Sequence, residues 1–185
     1  MRTENFKFQW ISSDGGPLIV VEQKYLGFWE GCDAPSNNRV PEAKFRRGLE
    51  VATDYDRACD IEDYIGLIDV GGGKAIVLGG DETAATWLHF RESEEGILIR
   101  WFSGNSETDV LRAADSLSDK SGKNENLEFT IEDSDLVLFA ACESGNDNVF
   151  PRLKYSLPKG TYKIFTIEYE DEQTSIICHR FRKKI

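Results

Sequence analysis

The sequence predicts an α+β, strand-rich fold: antiparallel sheets with one or two short helices. Apolar residues fall in short runs bounded by Gly, Pro, Asn and Asp, the punctuation of strands and turns. Only two stretches carry helical spacing, and none approaches the roughly 20 apolar residues that cross a bilayer. At 185 residues the chain is long enough for one substantial core. One domain over 1–185 is the expectation, with 119–126 as the best place for an internal boundary.

In chain order, "FKFQWI" (6–11) alternates, "SSDGG" turns, and "PLIVVE" (17–22) resumes, which predicts an N-terminal hairpin. Residues 23–29 suit a helical turn. The stretch 30–43 holds two prolines, a glycine and two asparagines and reads as a loop. Over 54–64 the spacing predicts a short helix with Tyr55, Ala58, Cys59 and Glu62 on one side and Asp56, Asp60 and Asp63 more exposed. "IGLIDV", "KAIVLG", "TAATWLHF" and "GILIRWF" follow as four strands of an antiparallel meander. "SETDVLRAADSL" (106–117) is the clearest helix, with Ser106 as its cap and Val110, Leu111, Ala114 and Leu117 at helical spacing. After the polar loop 119–126 come five more strands. The last two, "GTYKIFTIEY" and "TSIICHRF", pair as a hairpin with Tyr162, Ile164, Thr166 and Glu168 on one face.

The formal charge of −11 opposes nonspecific nucleic-acid binding, because phosphate neutralisation needs clustered Lys and Arg. A basic protein is the better-matched partner. Arg180, Arg182, Lys183 and Lys184 concentrate four positive charges near the end, leaving −15 on the rest. The N-terminus lacks the apolar core of a signal peptide, so the expected location is the cytoplasm. Cys32, Cys59, Cys142 and Cys178 form no C-x-x-C pair and read as free, mostly buried thiols.

Several motifs invite a chemical reading, and each lacks what the chemistry needs. "DYDRACDIEDYI" has Asp54 and Asp56 where a calcium loop wants acids, but Ala58, Cys59 and Ile65 fill its other ligand and glycine positions. As a D-x-D phosphatase site it lacks a preceding apolar strand, and acids at the start of a helix suit the helix dipole. "GGGK" is followed by Ala75 and a strand, not by a hydroxyl residue and a helix, so Gly71 to Gly73 read as a turn. No G-x-S-x-G elbow is present. His89 and His179 read as structural or surface residues, and Cys178 and His179 point to opposite faces of one strand. Trp10, Trp29, Trp87 and Trp101 read as core. No metal, cofactor or catalytic residue is predicted. Two acidic clusters remain: 105–135, with nine acids against three bases, and "EYEDE". Glu107, Asp109, Asp115, Asp119, Glu132, Asp133, Asp135, Glu168, Glu170, Asp171 and Glu172 are the candidate partner-binding residues.

The stretches "WISSDGGPLIV" (10–20), "FWEG" (28–31), "TWL" (86–88), "ILIRW" (97–101), "LPKGTYKI" (157–164) and "CHRF" (178–181) form an ordered set along the chain. "DYDRACDIEDYIGLIDVGGGKAIVLG" (54–79) is its specific part. In these stretches the chain resembles the immunity protein 21 family of bacterial polymorphic-toxin systems. The resemblance implies a cytoplasmic, non-catalytic protein that binds a cognate toxin domain and blocks it. Two other readings predict different behaviour: a small hydrolase using a thiol or carboxylate pair, and a general protein-binding scaffold. The first loses activity on one Cys or Asp substitution with folding kept; the second has no toxin partner.

Overall fold

A computed structural model describes residues 8–13, 15–36, 51–80, 83–89, 95–117, 120 and 122–184. Ten strands are β1 (Leu18–Glu22), β2 (Gly66–Val70), β3 (Gly73–Leu78), β4 (Ala84–His89), β5 (Gly96–Ser103), β6 (Lys123–Ile131), β7 (Asp135–Ala140), β8 (Leu153–Ser156), β9 (Gly160–Glu170) and β10 (Ser175–Lys183). A 3-10 helix spans Gln23–Phe28, and the α-helices are α1 (Asp54–Cys59) and α2 (Glu107–Asp115). The strands form two five-stranded sheets, ordered β2-β3-β1-β7-β8 and β4-β5-β10-β9-β6, with every pairing antiparallel.

Side-chain alternation explains the layers. Leu18, Val20, Ile76, Leu78, Leu136 and Leu138 of the first sheet share one buried cluster with Trp87, Leu98, Phe129, Tyr162, Ile164 and Phe181 of the second. The two sheets therefore pack face to face. The opposite face of the first sheet, with Ile19, Val21, Val77 and Phe139, is covered by Leu26, Trp29, Tyr55 and Ala58. On the second sheet, Ile97, Ile99, Ile176 and Cys178 lie under Val110, Ala113, Ala114 and Leu117 of α2. Strand β1 has both faces covered, so all five of its residues are buried. That is why "LIVVE" reads as an unbroken apolar run ending in a buried glutamate.

The helix 106–117 and the β9–β10 hairpin form as expected, with the Ser106 hydroxyl accepting from the Asp109 amide at 3.3 Å. Val70 pairs with Gly73, leaving Gly71 (φ 64°) and Gly72 (φ 126°) as a two-residue turn whose positive φ angles suit glycine. A Cβ on Gly71 would also lie 2.6 Å from the Phe28 ring.

Other expectations are corrected. The N-terminal hairpin does not form: Ile11 bridges to Ala85, and β1 lies between β3 and β7. The four central strands are not one meander but two hairpins, β2–β3 and β4–β5, in different sheets. The helix predicted over 54–64 ends at Cys59, Glu62 is exposed, and Asp56 is buried rather than exposed. Strand β6 begins at Lys123, inside the stretch read as loop. Of the cysteines, Cys178 is buried while Cys32, Cys59 and Cys142 are half-buried.

Asp54 and Asp56 of the acid-rich block are explained by two sets of hydrogen bonds. Thr53 and Asp56 form a capping box, each side chain bonding the other's backbone amide, at 3.0 and 2.9 Å. The buried Asp54 carboxylate accepts from the Glu30 amide at 2.8 Å, the Ser36 hydroxyl, and the Arg57 guanidinium at 2.9 Å. Arg57 also donates to the Asp69 carbonyl at 2.8 Å, tying α1 to β2. These carboxylates build the scaffold.

Candidate functional site

The candidate acids separate into two groups. Gly160 of β9 pairs with Ile131 at the end of β6, so Glu132, Asp133 and Asp135 cluster by the start of β9. Glu168 and Glu170 end the same strand, and Asp171 and Glu172 form its turn to β10. At about 3.4 Å per residue the two ends of β9 lie on the order of 30 Å apart.

At the first end the acids are engaged within the chain. Glu132 pairs with Lys24 and accepts from the Tyr25 hydroxyl, and the Lys24 bond pulls its carboxyl below the usual range. The buried Glu22 carboxylate fastens this turn by accepting the amides of Glu132 and Asp133 at 2.8 and 2.6 Å. Asp133 lies 3.9 Å from Lys159, and Asp135 accepts from Ser156 at 2.8 Å.

At the second end α2 lies beside the β9–β10 turn. Glu107 accepts from the Phe8 amide and the Trp10 indole, both at 2.9 Å, and so anchors the segment ahead of β1. Asp109 pairs with Arg112 at 2.9 Å. Asp171 accepts from the Gln173 amide, the Tyr169 hydroxyl and the Thr174 amide, which hold its carboxyl below the ordinary range. A cleft of about 220 Å³ separates Asp109 and Arg112 from Tyr169 and Asp171. Asp115, Glu168, Glu170 and Glu172 are exposed. Asp119 lies outside the described residues.

Beside this end is a second, smaller cleft that the sequence reading missed. Its walls include Tyr64, ahead of β2, and Phe102 of β5, with Glu168, Glu170 and Ile177 around them. Both aromatic residues are unusually open, at 44% and 40% exposure. Arg100 touches both residues, through the Tyr64 backbone and the Phe102 ring. Its guanidinium is buried between the sheets and donates to the Tyr64 carbonyl at 2.9 Å, the Gly79 carbonyl at 2.7 Å and Thr83 Oγ1 at 3.3 Å. It also lies 5.3 Å from the centre of the Phe102 ring. Burial lowers the Arg100 pKa to about 10, leaving it cationic at neutral pH. A charged residue inside the apolar run "ILIRW" was the available sequence signal.

Cys142, Cys178 and His179 are held in unreactive states. Burial pushes the Cys178 thiol up to about 12, and burial with Glu143 alongside pushes Cys142 up to about 11, so both stay protonated at neutral pH. Cys178 faces α2 while His179, its neighbour, faces the other sheet. His179 bonds Thr166 Oγ1 through Nδ1 at 2.9 Å, and its Nε2 has no hydrogen-bond partner among the described residues. Burial, with the Arg100 charge nearby, lowers its pKa to about 3. Among the described residues no group of three or more His, Cys, Asp or Glu is placed to hold a metal, and no helix is long and apolar enough to cross a membrane.

That depressed pKa sets a pH dependence. Between about pH 3 and the unfolded value near 6.5 the unfolded chain binds a proton that folded His179 refuses, so its contribution to stability is full above pH 6.5 and is lost as pH falls. The expected slope approaches about 1.4 kcal/mol per pH unit. Urea unfolding of the wild type and His179→Gln from pH 7.5 to 5 should show a smaller decline in the variant; parallel declines would remove His179 as the cause.

At this end of the two-sheet frame, exposed aromatic side chains are bordered by carboxylates. The profile of the family described as Immunity protein 21 matches residues 9–175, and the chain belongs to that family. Its general role is therefore immunity within toxin systems, with a toxin as the partner class, and such families are generally non-enzymatic. No curated protein and no solved structure is significantly similar to the chain.

Proposed function

We propose that this protein binds its cognate toxin domain directly in the cytoplasm of the producing cell, and that the end of the molecule formed by α2 and the β9–β10 turn is the contacting face. The observation that carries this reading is the exposure of Glu168, Glu170 and Glu172 at the β9–β10 end and of Asp115 on α2, in a chain of net charge −11. Such a field steers a basic partner and raises its association rate, while affinity comes from a few buried anchors. The acids at the start of β9 bond to Lys24, Tyr25 and Ser156, so they have less to offer an incoming cation.

The test uses a catalytically inactivated toxin domain encoded beside this protein. The triple variant Asp115→Lys, Glu170→Lys, Glu172→Lys should bind at least about tenfold more weakly at low salt, and the difference should shrink at high salt. Unchanged affinity at both salt concentrations would move the interface elsewhere. Toxin neutralisation without any complex would reject direct binding altogether.

A further inference from the structure

We infer that the cleft between Tyr64 and Phe102 is the anchor point of that interface and receives an arginine side chain of the toxin. This inference rests on the direct-binding reading above.

Size limits the occupant first. The cleft holds about 130 Å³, well below the roughly 300–1,000 Å³ of pockets that enclose a drug-sized ligand. It suits the head of one side chain. Chemistry then selects which head. Two aromatic faces with carboxylates at the rim favour a planar cation, which can stack on a ring and donate to Glu168 or Glu170 together. Asp63 adds to this negative field: it and Glu168 both act on the Lys123 ammonium, which itself is paired to Glu125 at 3.1 Å.

The backbone supplies independent support. Ser175 pairs with Ser103, yet Ile176 pairs with Trp101, so Phe102 is the extra residue of a β-bulge. A bulge re-aims a side chain and is a recurrent device beside functional sites. Here it places an apolar ring at the open end of the sheet. Arg100 lies against that ring and fixes the Tyr64 backbone through its carbonyl, so the Phe102 wall and the base of the Tyr64 wall are held before a partner arrives. Preorganised walls avoid the ordering cost that weakens flexible sites.

Calorimetry with the same inactivated toxin domain tests this, with thermal melts confirming that each variant folds. Tyr64→Ala and Phe102→Ala should each weaken binding by about 30-fold or more, as interface anchors do. Phe102→Leu keeps apolar bulk but removes the π face and should lose on the order of tenfold. Phe28→Ala, an exposed aromatic away from the cleft, should stay within about twofold. Wild-type affinity in Phe102→Leu would overturn the cationic occupant. Wild-type affinity in all the cleft variants, with the triple acid variant still weakened, would overturn the cleft and leave direct binding standing. Absence of binding by the wild type would remove both.

Discussion

Replacing Arg100 by Ala is expected to cost about 3 to 5 kcal/mol of folding stability, among the largest single effects available in this chain. Among the described residues the guanidinium is buried without a carboxylate partner in its hydrogen-bond set, and its lowered pKa records what that burial costs. Two effects then oppose each other on substitution. Removing the cation relieves its desolvation, but it strips a donor from the carbonyls of Tyr64 and Gly79, and each orphaned acceptor costs about 1 to 3 kcal/mol. The truncation also opens a cavity between the sheets. The losses win for Ala. Arg100→Met fills much of the space and keeps only the acceptor penalty, so it should fall between Ala and the wild type in urea unfolding. Equal stability of Arg100→Ala and the wild type would show that water serves those carbonyls as well as the guanidinium does.

Asp54→Ala is the second large effect, again about 3 to 5 kcal/mol, because it leaves the Arg57 cation buried without its counterion. At about 2 to 4 °C per kcal/mol for a chain of this size, the melting temperature should drop on the order of 10 °C. The pair itself is a weak source of net stability, since both charges were taken out of water to form it. Hence the double variant Asp54→Ala, Arg57→Met should be more stable than Asp54→Ala alone. A double variant that loses the sum of the two single losses would show no coupling, and the ion pair would then not be what holds α1 to β2.

The comparison of sequence with structure follows the range of the interactions involved. Local signals were readable: the Ser106 cap, the Gly71–Gly72 turn and the period-2 alternation of β9 each depend on neighbours a few residues away. Sheet membership was not readable, because alternation marks a strand without naming its partner. That is how four strands expected in one meander came to lie in two sheets, and how the strand before "SSDGG" lost its expected hairpin. Asp56 looked like a surface acid because its capping partner Thr53 lay just outside the predicted helix. Of the candidate site, the acids were visible as composition, but their division between the two ends of β9 depends on register. Tyr64 and Phe102 were invisible as a pair: 38 positions separate them, and only the β-bulge and the Arg100 side chain bring them to one cleft.

The order in which the chain enters the sheets also governs when the aromatic cleft is complete. β10 is the centre of the second sheet, and without it β4–β5 and β9–β6 are separate pieces with no shared edge. Ser175, Ile176 and Ile177, which line the aromatic cleft, belong to this last strand. A ribosome adding about 5 to 20 residues per second takes roughly 4 to 14 s to pass from the end of β5 to the start of β10. During that interval Phe102 exists but its cleft does not. The aromatic cleft is therefore completed in one step, when β10 joins β5 to β9, rather than gradually.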